Sequence, residues 1–81
     1  TREELEALAR AGETAAFGLR MTAGWPFEEF ERVTGHDLRG EWDATMNEWV
    51  SRGHALREPS GFRLNREGLR FADAAAMDFL R

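Results

Sequence analysis

The sequence contains no cysteine. That absence excludes disulfides, thiolate-held zinc, thiol nucleophiles and cysteine-ligated iron–sulfur clusters within this chain. Lysine is absent too, so all 11 basic residues are arginine; with many alanines and glycines, this is the composition a GC-rich genome gives. No apolar run approaches the roughly 20 residues that span a bilayer, and no signal peptide opens the chain. Positive charge is not in surplus: the formal net charge is −4, which opposes a polyanionic partner. These absences lead us to expect a cytoplasmic protein with no membrane association. An opening at Thr1 rather than at Met suggests a piece of something larger.

What remains is an ordinary globular composition, 42% hydrophobic and 32% charged over 81 residues. That length allows one domain, 1–81, burying only roughly 60–65% of the surface its unfolded chain exposes. Three Trp and six Phe must supply much of the core.

Apolar and small residues at Leu5, Leu8, Gly12, Ala15, Ala16 and Leu19 recur at helical spacing. Thr1, with Glu3 and Glu4 behind it, reads as the helix start, and Gly24 as its left-handed cap. Pro26 suits the first position of a second helix, with Phe27, Phe30 and Val33 inward and Gly35 closing it. A third helix, capped near Asp37, carries Trp42, Met46, Trp49 and Val50 as an apolar stripe and stops at Gly53. Ala55–Arg57 and Phe62–Leu64 read as hairpin arms around Pro59-Ser60-Gly61. Asn65 caps a last helix with Leu69, Ala72, Ala76, Phe79 and Leu80 inward.

The expected fold class is therefore α+β, mostly helical and winged-helix-like: three helices, a two-strand hairpin wing and a C-terminal helix. Many winged helices read DNA with the third helix. Here that helix carries Glu41, Asp43 and Glu48 against Arg39 and Arg52, and no row of polar side chains aimed at base edges. The wing is more basic, and Arg57, Arg63 and Arg66 are the nucleic-acid candidates. The alternative function is thus a DNA-binding module of a transcriptional regulator; solvated hairpin charges explain the same arginines.

Glu13 followed by Phe17-Gly18-Leu19-Arg20, then Gly24, Phe27–Leu38, "WVSRG" at 49–53 and "FRLNREG" at 62–68 form an ordered set. It resembles the C-terminal domain of the oxygen-independent coproporphyrinogen III oxidase family of radical S-adenosylmethionine proteins, which includes haem chaperones. The resemblance covers residues 13–81. It departs at Gly24-Trp25-Pro26, where the family usually has Gly-Ile-Asp, and at Asn65, where a Thr cap is usual. It implies a parent whose separate catalytic barrel holds a [4Fe-4S] cluster on a CxxxCxxC motif. That barrel cleaves S-adenosylmethionine to start oxidative decarboxylation of coproporphyrinogen III to protoporphyrinogen IX. This chain would be a non-catalytic accessory or lid domain that packs on the barrel and touches the tetrapyrrole.

Three residues are candidates for substrate or domain-interface contact. Glu13 and Arg20 lie seven apart, two turns along one helix. Arg20 suits a propionate as a planar bidentate donor, or else pairs with Glu13 or an acid of the second helix. Trp25 at the helix break is either an exposed anchor for the barrel or a core plug. Gly12 and Gly18 each cost the first helix roughly 1 kcal/mol against Ala, so a backbone presses close, from a docking partner or from within the domain. His36 and His54, eighteen apart with no third ligand at a fitting spacing, do not suggest a metal. No nucleophile–base pair and no phosphate loop is discernible.

Overall fold

The computed structural model describes every residue, Thr1–Arg81, as a mostly helical α+β domain. Helix α1 spans Arg2–Thr22. Thr1 accepts the Glu4 N–H while the Glu4 carboxylate takes the Thr1 amine, closing a capping box. The helix ends one residue earlier than the sequence suggests. The left-handed cap is Ala23, at φ 70° and ψ −1°, not Gly24.

Gly24 is needed elsewhere. It opens a short strand, β1 (Gly24–Pro26), where a Cβ would overlap the Phe62 carbonyl oxygen and lie 2.7 Å from Arg63 Cα. Only the residue without a side chain lets the strands approach this closely, so the cap falls to an alanine.

Helix α2 runs Phe27–Thr34 and closes on Gly35 at φ 77°. Phe27 and Phe30 are buried as expected, but Val33 is 58% exposed. The expected third helix is two elements, α3 (Leu38–Glu41) and α4 (Asp43–Ser51), kinked at Trp42. Hydrogen bonding runs through the kink, from Trp42 N–H to Leu38 O and from Met46 N–H to Trp42 O. Trp42 leaves helical geometry while its indole is fully buried and its Nε1–H donates to Phe79 O at 3.0 Å. Asp37 caps α3 by accepting the Arg39 N–H; chiefly the Arg39 side-chain hydrogen bond holds its carboxyl below the usual range.

Strands β2 (Ala55–Glu58) and β3 (Gly61–Leu64) pair with Glu58 opposite Gly61. The loop is therefore Pro59-Ser60, with Gly61 already in the sheet. β1 adds to the other side of β3, with Trp25 opposite Phe62, giving the antiparallel order β1-β3-β2. Three residues carry too little alternation to reveal β1 in sequence.

The last helix also divides, into α5 (Arg66–Leu69) and α6 (Ala72–Asp78). Asn65 caps α5 by accepting the Gly68 N–H at 2.8 Å. Ala75, Ala76 and Phe79 are buried, whereas Leu69 and Leu80 are about half exposed.

The core gathers Leu19, Phe30, Leu38, Trp42, Met46, Phe62 and Phe79 from five elements and the C-terminal end. Each such side chain contributes about 1.5–3 kcal/mol on burial. Phe30 meets Trp42 edge-on with centroids 5.8 Å apart, and Trp42 stacks on Phe79 at 6.5 Å. α6 lies along α1 where the latter carries Gly12. A Cβ there would stand 2.7 Å from Phe79 O and 3.1 Å from Arg81 N. The close backbone demanded by Gly12 is the domain's own.

Candidate functional site

A groove of about 600 Å³ opens between the C-terminal half of α1, β1 and the β2–β3 turn. Its size falls within the range of ligand pockets, although it is open on one side. Gly18, Gly24 and Gly61 leave its floor without side chains. A Cβ on Gly18 would overlap the Trp25 indole, so this glycine too serves packing within the domain.

Phe17 and Met21 form the apolar wall, and both are 66% exposed. They stand one turn apart on the same face of α1, outside the stripe that meets the core. Other large apolar side chains of this chain are as exposed, among them Leu5 and Met77, but Phe17 and Met21 are the two that line this groove beside an indole. The opposite wall carries charge: Glu29 from the first turn of α2, and Glu58 with Arg63 on the outer face of the hairpin. Arg63 lies 3.7 Å from Glu58, whereas Glu29 makes no ion pair.

Trp25 belongs to this groove and to the fold at once. It is half-buried, meets Phe30 edge-on at 5.3 Å, and donates Nε1–H to Ala15 O at 3.2 Å. With its polar atom satisfied internally, the indole acts as a fixed wall.

Glu13 and Arg20 stand elsewhere. Glu13 is exposed on α1, and Arg20 turns toward α6, where its Nε lies 3.3 Å from Asp73 Oδ1. The acid that meets Arg20 comes from the last helix, neither Glu13 nor the second helix. Both side chains of that pair are largely in solvent, so the pairing stabilises the fold very little. The structure thus joins Trp25 to Phe17, Met21 and Glu29, residues that a search for chemistry-bearing side chains passes over. Their one sequence signal is apolar residues at Phe17 and Met21, off the buried stripe.

The three candidate arginines, two in the hairpin and one just after it, lie on different faces. Arg57 reaches inward to α4, donating to Asp43 Oδ1 at 2.7 Å and Asn47 Oδ1 at 2.9 Å. Arg63 projects on the opposite face beside Glu58, and exposed Arg66 begins α5. The wing is also tethered: Phe27 N–H donates to Ser60 O at 2.9 Å, pinning the turn to α2.

The histidines are placed by packing. His36 Nδ1 lies 3.1 Å from Thr34 O at the end of α2. His54 stacks on Phe71 with centroids 4.9 Å apart and tilts against Trp49 at 5.7 Å, leaving its buried Nδ1 without a partner. No helix is long and apolar enough to cross a membrane.

The chain matches no protein-family model, no curated protein and no solved structure.

Proposed function

We propose that the chain is a cytoplasmic accessory domain whose groove docks on a larger catalytic partner. The partner is the barrel of a radical S-adenosylmethionine protein of oxygen-independent coproporphyrinogen III oxidase type. One observation carries this reading: Phe17 and Met21 stand exposed beside fixed Trp25 in a concave patch. Exposed apolar anchors around a rigid aromatic are what interface centres are built from. Phe17 belongs to the Glu13–Arg20 motif of the family resemblance, whereas Met21 lies outside it and Trp25 at one of its departures; the resemblance supplies the partner's identity.

In this reading the [4Fe-4S] cluster and S-adenosylmethionine belong to the barrel, where the radical that begins propionate decarboxylation is made. This chain contributes surface and closure. A tetrapyrrole propionate is a poor occupant of the groove itself, because Glu29 and Glu58 repel it and Arg63 already has Glu58 beside it. Protein docking fits the mixture of apolar wall and acid rim better.

The test is to titrate the chain into a coproporphyrinogen oxidase barrel stripped of its own C-terminal domain, by isothermal calorimetry. A saturable complex that Phe17→Ala with Met21→Ala abolishes is expected. Absence of heat at any ratio refutes the proposal. Duplex DNA at low salt serves as the competing ligand, and binding there with steep salt dependence refutes it as well.

A further inference from the structure

We infer that the groove receives an apolar peptide segment carrying a basic residue, seated with its apolar side chain between Phe17, Met21 and Trp25 and its cation toward Glu29. This deepens the docking reading by naming the chemistry of the segment that enters. Charge carries the argument. At the acid rim Glu29 is exposed and makes no ion pair, whereas Glu58 is beside Arg63. Of the three charged residues that line the groove, Arg63 offsets Glu58, so Glu29 leaves the rim with one uncompensated negative charge. The chain's net charge of −4 has the same sign.

An acidic segment entering here meets repulsion, and a neutral one leaves Glu29 partly desolvated without a counter-charge. A guanidinium or ammonium group offsets that loss. Shape adds a second restriction. The space beside Gly18, Gly24 and Gly61 is already taken by the Trp25 indole, the Phe62 and Trp25 carbonyls and Arg63, so an incoming apolar side chain can seat only against Phe17, Met21 and the Trp25 face. The β1 edge is not the recognition element. Trp25 faces Phe62 across the ladder, Pro26 lacks an N–H, and Gly24 O already accepts from Thr22 Oγ1 at 3.0 Å. With no donor at Pro26 and the Gly24 carbonyl already accepting from Thr22, this three-residue edge offers little to an added strand, and side chains carry the recognition.

The experiment uses the chain with two synthetic peptides, each with a central Leu-Phe pair, flanked by arginines in one and by glutamates in the other. Binding is read from the amide NMR shifts of Gly18, Gly24 and Gly61. The arginine peptide is expected to shift these amides saturably and to bind about tenfold or more tightly than the glutamate peptide. Glu29→Arg should remove or reverse that preference. Phe17→Ala with Met21→Ala should weaken the arginine peptide by about fivefold or more; both side chains are exposed, and the unperturbed glycine spectrum verifies the fold. Equal binding of the two peptides, a preference unmoved by Glu29→Arg, or shifts away from the three glycines overturns the inference. Association with the barrel in calorimetry alongside equal peptide binding sinks this inference and leaves the docking proposal standing. Peptide preference without barrel association does the reverse.

Discussion

Gly68 is where a single methyl group should do most damage. The residue sits in α5, one turn long, at the point where the C-terminal segment is strapped to the α4–β2 turn. Asn65 N–H donates to His54 O at 3.0 Å, and Asn65 Nδ2–H donates to Gly53 O at 2.7 Å. A Cβ on Gly68 would overlap the His54 carbonyl oxygen, lie 2.9 Å from its carbon and crowd Leu64 Cβ at 3.2 Å. Non-bonded heavy atoms pack at about 3.5–4.0 Å, so the overlap with the carbonyl oxygen alone forces the two backbones apart by more than about 1 Å.

The favourable side is small, since replacing Gly by Ala in a helix gains at most about 1 kcal/mol. Against it stand overpacking, at about 1–3 kcal/mol, and two strained hydrogen bonds worth about 1 kcal/mol each. The net for Gly68→Ala is a loss of about 2–4 kcal/mol, a large share of what a domain of this size holds. Thermal and urea melts followed by circular dichroism should show a Tm lower by about 10–30 °C. The control is Gly40→Ala in α3, where nothing lies within 4 Å of the added methyl; it should raise stability by about 0.4–1 kcal/mol. A Gly68→Ala Tm equal to or above that of the parent refutes the packing argument.

Four further expectations rest on named contacts. Trp42→Phe keeps an aromatic ring in the core but removes volume and the bond to Phe79 O; urea titration should show a loss of about 1.5–3 kcal/mol. Ala23→Gly relieves a left-handed alanine and should gain about 0.5–1 kcal/mol in the same assay, a loss being the contrary result. Asp37 titrates below its ordinary value, so its contribution is present above about pH 3.9 and fades as pH falls through the lower folded-state value. A carboxyl-detected NMR titration should place the midpoint below that of a free peptide, and Asp37→Asn should flatten that part of the stability profile. Arg20→Ala should shift stability by less than about 0.5 kcal/mol, because its partner Asp73 is exposed; unchanged affinity for the barrel as well would remove Arg20 from the interface.

Much of the fold is legible in the sequence because its signals are local. The Thr1 capping box, the Phe27/Phe30 face, the Asn65 cap and the stops at Gly35 and Gly53 each depend on residues within a turn of one another. The apolar stripe through Trp42, Met46 and Trp49 follows from helical period alone. Errors arise where a distant neighbour overrides that preference. Gly24 carries the strongest local cap signal in its stretch, yet the approach of β3 claims it. Trp42 interrupts a continuous helical pattern while its indole bonds to Phe79, 37 residues away.

The sequence by itself determines that this is one mostly helical α+β domain with a hairpin near its C-terminal end, because caps, period and turn residues act over a few positions. Tertiary structure alone decides the rest. It adds β1 to the sheet, sends Arg57 inward to Asp43 and Arg20 across to Asp73, and assembles Phe17, Met21, Trp25 and Glu29 around one groove. The physical reason is that a face exists only once separate elements pack. Periodicity tells which side chains leave the core, whereas only the packed chain tells which of them meet.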